Sequence, residues 1–430
     1  MSETQSFART EMLPPQTPPV TERGVVKWLR ENLFSGPINT ALTLLGAYIV
    51  WSLASAAAPW LLNSVWNASS LGECRTIAGP EGGACWAVIK ERWHQYMFGF
   101  YPQEMYWRPT LAFVLLFVAL APVLFSQVPK KMLWFTLLYP AVAFFLLWGG
   151  TIWGPIVAVL GFVVLGVVYR LLQPLVGVSV AAGAGVFAAV LWWLYLDAPL
   201  VAGLASILPV GVEAVESDQF GGFLLAIVIG VTAISFSLPL GILLALGRQS
   251  DMFVVKTLCV GFIEFIRGVP LITLLFTASL LLQYFLPPGT NFDIILRVII
   301  LVTLFAAAYL AEVIRGGLAA LPRGQYEAAD ALGLDYWRAQ RLIILPQALK
   351  ISIPAIVSTF IGLFKDTTLV SFVGLLDPLR GVTAAVRADI NWKGIYWEPY
   401  VFVGAVFFLI CFGMSRYSMY LEQKLKTDHR

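Results

Sequence analysis

Charge is what this 430-residue chain has least of: Asp, Glu, Lys and Arg make up 12% of it, about half the share of a soluble domain. So few ionisable groups cannot solvate a globular surface of this size. Histidine is nearly absent. The two present, His94 and His429, are too far apart in sequence to suggest a metal cluster or a catalytic triad. No paired carboxylates or nucleophile–base set collects near one face, which argues against a membrane enzyme. A Gly-x-x-x-x-Gly-Lys-Ser/Thr phosphate loop is missing, so the chain has no ATP site of that kind. The net charge of +3 gives no reason to expect nucleic acid as a partner. The N-terminus has no recognisable secretory signal peptide, so the first apolar block is expected to remain as an anchor. Cysteine is sparse, with four in all. Cys259 and Cys411 fall in apolar blocks and read as inert packing residues. Cys74 and Cys85 share one polar loop, where a disulfide can form if that loop faces an oxidising compartment; spacing alone leaves this open.

What the chain does have is apolar sequence, 59% of all residues. It comes in long blocks such as Leu111 to Ala121 and Ile294 to Leu310. A helix needs about 20 apolar residues to cross a hydrocarbon core. In lipid the backbone must satisfy its own hydrogen bonds, and these blocks lack the alternation of a β-barrel. The reading is an all-α, polytopic helical membrane protein in contact with lipid. About ten spans are expected, at 38–59, 109–126, 132–150, 152–172, 176–196, 220–246, 257–285, 294–315, 349–370 and 399–420. Tight hairpins are expected at Gly149–Gly150 and Gln173–Pro174.

Lys and Arg set the orientation. Arg9, Arg23, Lys27 and Arg30 precede the first span; Lys130 and Lys131, Arg170, Arg248 and Lys256, and Arg323, Arg338 and Arg341 mark the even-numbered loops. Arg416, Lys424, Lys426 and Arg430 end the chain. Both termini are therefore expected in the cytoplasm. The opposite face has a Trp-rich loop over 60–108 and an acidic loop over 197–219. The segment 371–398 violates the bias with Arg380, Arg387 and Lys393, and is expected to be a folded re-entrant or gate segment. Composition shifts near residue 218. The domains read as a polar, Pro-rich disordered tail over 1–37, a scaffold of five helices over 38–217, and a working core over 218–425, where charge and proline enter the spans.

The most informative stretch is the loop over 322–346, expected to form two short helices with a turn at Gly333 and ends at Pro322 and Pro346. Ala328, Ala329 and Ala331 leave a slim surface for another protein. Glu327, Ala328 and Ala329, three further residues including Asp330 and Leu332, then Gly333 and, nine residues on, Ile343-Ile-Leu-Pro346 resemble the EAA loop of ATP-binding-cassette importer permeases. Phe265-Ile-Arg-Gly-Val-Pro270, Ala308-Tyr-Leu-Ala-Glu-Val-Ile-Arg-Gly-Gly317 and Lys365-Asp-Thr367 resemble the polar amino acid branch of that family. The resemblance covers 218–425. The added N-terminal helices and the loop around Phe98-Gly-Phe-Tyr-Pro102 are similar to the larger subunit of general L-amino acid importers.

That resemblance implies the permease subunit of a bacterial inner-membrane importer carrying an L-amino acid. It implies a periplasmic substrate-binding protein, a second permease subunit forming a heterodimer, and a cytoplasmic ATPase homodimer that holds ATP and Mg, with no cofactor in this chain. Glu327, Ala328, Ala329, Asp330, Leu332 and Gly333 would couple to the ATPase. Charges at membrane depth either line a pathway or form structural pairs. Glu264 and Arg267 share a helix face, and Arg267-Gly-Val-Pro270 can break the helix. With Lys365, Asp366 and Thr367 they are the pathway candidates; Glu312 and Arg315 read as a structural pair at a helix end. Pro239 and Pro354 are expected to kink their spans. The alternative is a secondary transporter driven by an ion gradient, which would need an inverted repeat and ionisable relays in both halves.

Overall fold

The computed structural model describes residues 24–80, 82–285 and 293–425. The Pro-rich stretch from Pro14 to Pro19, Arg9, Arg23, Lys426, His429 and Arg430 lie outside them. Packing divides the chain into two compact units, with the boundary between Ala87 and Val88.

In the first unit, the segment read as disordered tail contains a helix, α1 (Gly24–Asn32). The amphipathic order of its residues, hidden beside a Pro-rich run, is the reason. The first span is α2 (Pro37–Leu62), started by Pro37 at its first position and carrying no buried residue. A short helix α3 (Leu71–Ala78) comes after it. Its N-cap Ser70 accepts from the Glu73 amide at 3.2 Å, and Glu73 in turn accepts from the Ser69 amide and hydroxyl at 2.7 Å. Those bonds, the backbone one first, hold the Glu73 carboxyl below its usual range. A disulfide joins Cys74 to Cys85, and Trp86 lies between Trp66, at 5.8 Å, and Trp60, at 5.9 Å.

The second unit takes in α4 (Ala87–Phe98) from its second residue on, then α5 (Trp107–Leu124), α6 (Leu133–Trp148) and α7 (Trp153–Val176). The hairpin between α6 and α7 turns at Gly149 and Gly150, with φ of +72° and +81°, as the glycine pair requires. The next turn falls at Gly177, φ +80°, and not at Gln173–Pro174: α7 runs through Pro174 and ends where a left-handed residue is available. Likewise α8 (Val178–Leu191) continues through a π-turn into α9 (Asp197–Ile207), so Asp197 is in a helix and not in a loop. Two short strands, β1 (Gly150–Thr151) and β2 (Gly211–Val212), pair antiparallel with Gly150 opposite Val212. Buried Arg108 fastens that corner, donating to the Leu146 carbonyl at 2.6 Å and the Glu213 carbonyl at 2.8 Å.

The remaining spans are α10 (Gly222–Gln249), α11 (Phe253–Gly268), α12 (Leu271–Phe285) and α13 (Ile294–Ala319), then α16 (Leu345–Asp366) and α18 (Trp397–Leu425). Between the last two lies α17 (Pro378–Ala388), 11 residues long and at about 16 Å too short to cross a bilayer. The span read at 257–285 is broken where Arg267-Gly-Val-Pro270 allows it: the chain bends by 101° between α11 and α12. Pro270 supplies no amide, and the residue before a proline avoids the helical region. Val269 accordingly has φ −111° and ψ 133°. Among the described residues, nine helical stretches are long and apolar enough to span a membrane, or ten if the bent pair counts as one.

The core is centred on α10 and α13. Gly241 lets them approach until an added Cβ would lie 2.8 Å from the Leu310 side chain, close packing of the kind that holds helices together in lipid. One apolar cluster joins Leu225, Ile229, Val298 and Val302 to Leu275 and Leu363. A second, at the other end of the same helices, joins Leu246, Leu310, Ile314 and Leu318 to Ile263, Ile344 and Ala348. That second cluster supports the loop after α13.

Candidate functional site

The loop after α13 builds a helix, α14 (Arg323–Ala331), which starts directly after Pro322. Gly333 ends it at φ +68°. The Gly333 amide donates to the Asp330 carbonyl at 2.9 Å, and the Leu334 amide to the Ala329 carbonyl at 3.2 Å. This paired closure needs a left-handed residue at Gly333 and satisfies carbonyls the helix end would leave open. Asp335 then caps α15 (Tyr336–Ala339), accepting from the Arg338 amide at 2.9 Å. The turn at Gly333 is where the sequence places it. Pro346 does not end a second short helix, however. From α15 the chain passes through a π-turn, Gln340–Ile344, straight into α16, making one helical stretch of 38 residues, Tyr336–Val373. The amide that Pro346 lacks is accommodated by that wider turn.

Of the alanines expected to form a slim outward surface, Ala329 is 1% exposed, whereas Ala328 and Ala331 are outward. Glu327, Asp330 and Gly333 are also exposed. Around them stand Leu332, Tyr336, Trp337 and Leu342, each more than half exposed. A side-chain bond of 2.9 Å from Gln347 to Gln325 ties α14 to the foot of α16. The arrangement is a braced helix with an open apolar rim, suited to taking a load from another protein.

Near the ends of α10, α11 and α13, five charges meet. One Arg248 nitrogen hydrogen-bonds Glu264 at 2.8 Å and forms an ion pair with Glu312, also at 2.8 Å, outside hydrogen-bond geometry. Glu312 also pairs with Arg315 at 3.0 Å and Arg267 at 3.6 Å. The Arg267 guanidinium lies 5.6 Å from the Tyr309 ring. Glu264 and Arg267 therefore do not pair with each other along their helix: each reaches across to another element. Glu312, at 15% side-chain exposure, is the hub. The sequence marks Arg248 only as a topological charge, because its partners lie 16 residues or more away.

The Lys365-Asp366-Thr367 cluster is at the far end of α16. Lys365 is exposed and Asp366 half-buried. Thr367 is fully buried, donating to the Phe364 carbonyl at 2.7 Å and packing on the Gly230 side of α10. It is placed as a packing residue, and only its two neighbours meet an open surface. Beyond them, the expected folded segment is α17. Buried Asp377 caps it, accepting from the Leu379 amide at 2.9 Å and the Arg380 amide at 3.2 Å. Burial pushes the Asp377 carboxyl up against those bonds. At its other end Asp389 pairs with Arg92, and Trp392 donates to Glu91 at 2.9 Å. So α4, from the N-terminal half, holds the turn after α17. No sequence signal could have joined residues 297 positions apart.

Among the described residues no group of His, Cys, Asp or Glu could hold a metal ion. Residues 237–427 match the family described as "Binding-protein-dependent transport system inner membrane component". The chain is 69% identical, over the full length of both proteins, to the glutamate/glutamine/aspartate/asparagine transport system permease protein BztC of Rhodobacter capsulatus. It is 38% identical to the inner membrane amino-acid ABC transporter permease protein YhdY of Escherichia coli, over 96% of each chain. The glutamate/aspartate import permease protein GltK of Escherichia coli is 32% identical, with 47% of this chain covering 91% of that one. These relatives overturn the alternative of a secondary transporter driven by an ion gradient. The chain belongs to the binding-protein-dependent inner membrane permeases, and it is a multi-pass, non-ATPase permease subunit of an ATP-driven amino acid importer, a class that works with a separate ATPase and a substrate-binding protein.

Proposed function

We propose that the outward face of α14 and its closing turn are where the cytoplasmic ATPase docks, and that both termini lie on that side. The observation that carries this is the exposed apolar rim of Leu332, Trp337 and Leu342 around a helix end stiffened by Gly333. A load applied to Glu327, Ala328, Asp330 and Leu332 would pass through Ala329 and Gln347 to α13 and α16, and on to the Glu312 network. The network has two outcomes open to it, since three arginines compete for one hub, and so suits a switch between inward and outward access. ATP and Mg would be held by an ATPase homodimer. A second, different permease would complete the pathway opposite α10 and α13. The even number of crossings, counting the bent pair as one, and the Lys/Arg bias favour this sidedness. The disulfide near Trp66 and Trp86 favours an oxidising compartment on the other side.

For substrate we propose acidic amino acids and their amides, the compounds named for BztC. Lys365 and Asp366 offer an open donor and acceptor for a zwitterion, and Arg267 a further cation on the way to the α14 end.

Gly333→Asp tests the coupling role. Asp tolerates the left-handed region, so the spans should stay folded, while a carboxylate enters the apolar rim. The ATPase should no longer co-purify with the permease, and amino acid uptake should fall at least tenfold. If binding and uptake both survive, α14 is not the docking site.

A further inference from the structure

The coupling path from α14 to the Glu312 network leaves α1 without a role. Its nine residues divide into two faces. At 100° per residue, Trp28, Val25, Leu29 and Val26 fall on one arc, which also holds Asn32 with its side chain turned onto the Trp28 carbonyl, and Arg30, Lys27 and Glu31 on the other. None is buried; Val25 is 72% exposed and Trp28 56%. These nine described residues are far too few to cross a bilayer.

The adjoining span fixes the position of α1. Four residues separate Asn32 from Pro37, where the first span starts, so α1 ends within about 17 Å of the bilayer edge. The elbow between them is hydrogen-bonded. The Leu33 and Phe34 amides donate to the Leu29 carbonyl at 2.8 and 3.0 Å, and the Asn32 side chain to the Trp28 carbonyl at 2.9 Å. From within α2, the Thr43 hydroxyl donates to the Leu33 carbonyl at 2.7 Å and Asn39 to the Ser35 hydroxyl at 2.6 Å. The apolar arc is therefore held at the membrane boundary, next to a span. The Lys27–Glu31 pair, at 3.7 Å and about half exposed on both sides, is loose enough to leave the lysine free for other anions.

We propose that α1 lies flat in the headgroup layer, with the Val25, Trp28 and Leu29 arc in the acyl boundary and Lys27 and Arg30 on anionic phospholipid headgroups. It sets the depth and tilt of the first span.

The test uses the full permease with Cys259 and Cys411 changed to Ala and a single nitroxide label at Val25→Cys, Leu29→Cys or Lys27→Cys. The assembled importer is reconstituted in vesicles of phosphatidylethanolamine with phosphatidylglycerol. Oxygen should collide with the labels at 25 and 29 several-fold more often than a water-soluble nickel chelate does, and the order should reverse at 27. Removing phosphatidylglycerol, or introducing Lys27→Glu with Arg30→Glu, should raise nickel access at 25 at least twofold. Equal nickel access at 25, 27 and 29 overturns the proposal, and two apolar positions guard against one poorly tolerated variant. Shielding of 25 and 29 from both reagents, present in the complex and lost in the permease alone, would mean a protein partner covers the arc and also overturns it. Indifference to lipid charge overturns the recognition of anionic headgroups.

Discussion

Two adjacent glycines near the end of α13 separate packing from propensity. Gly317 is buried: a Cβ there would run into the Ser352 hydroxyl and lie 2.6 Å from the Ala348 carbonyl oxygen. Ser352 could rotate away, giving up its bond to the Val313 carbonyl at 3.3 Å. The Ala348 carbonyl is backbone of α16 and cannot move without moving the helix. Gly316 is exposed, with nothing within 4 Å of an added Cβ. Both substitutions to Ala gain about 1 kcal/mol of helix propensity. At Gly316 that gain stands alone, so the variant should match or slightly exceed wild type. At Gly317 it is opposed by overpacking of about 1–3 kcal/mol and a weak hydrogen bond of about 0.5–1 kcal/mol. The propensity gain cancels between them, so the two variants should differ by about 1.5–4 kcal/mol. Thermal unfolding of the purified permease, tracked by reaction of Cys259 and Cys411 with a thiol dye, should place Gly317→Ala several degrees below Gly316→Ala. Because α13 and α16 are the two struts of α14, uptake should fall with Gly317→Ala and hold with Gly316→Ala. Equal stability and uptake in the two would refute the close crossing of α13 on α16.

The turn after α17 gives a second test: Arg92→Asp and Asp389→Arg should each loosen it, seen as faster protease cleavage near Trp392, and the double reversal should restore protection. The Asp389 carboxyl is held below its usual range by the Asn391 amide and by Arg92; its contribution is present above the ordinary carboxylate range and lost as pH falls through the lowered value, so wild-type protection should persist at mildly acid pH. The disulfide closes a short loop, with its cysteines 11 residues apart, and replacing both by Ser should cost about 3 kcal/mol locally, read by hydrogen exchange over α3. Glu312→Gln leaves three arginines with Glu264 alone and should destabilise by about 1–3 kcal/mol; the discount from a fully buried pair reflects Arg267 and Arg315, 34% and 44% exposed. Unchanged stability and uptake in Glu312→Gln would remove Glu312 as the hub.

Sequence alone determined the class of this protein, because long apolar runs with little charge permit only spanning helices. It also determined the turn at Gly333, since the closure there needs a residue free to adopt positive φ, and the α14 loop, whose spacing is local. The number of crossings was legible to within one broken helix. Tertiary structure decided what the charges do. Glu264 and Arg267 sit three residues apart, yet each is claimed by a partner on another helix, Glu264 by Arg248 at the end of α10 and Arg267 by Glu312 of α13. It turned Thr367 and Ala329 inward, where neighbouring helices close over them. It carried α15 into α16 past Pro346, since a π-turn absorbs the missing amide. It made the link from Arg92 to Asp389, which depends on the chain bringing its two halves together at one end, and no local pattern encodes that.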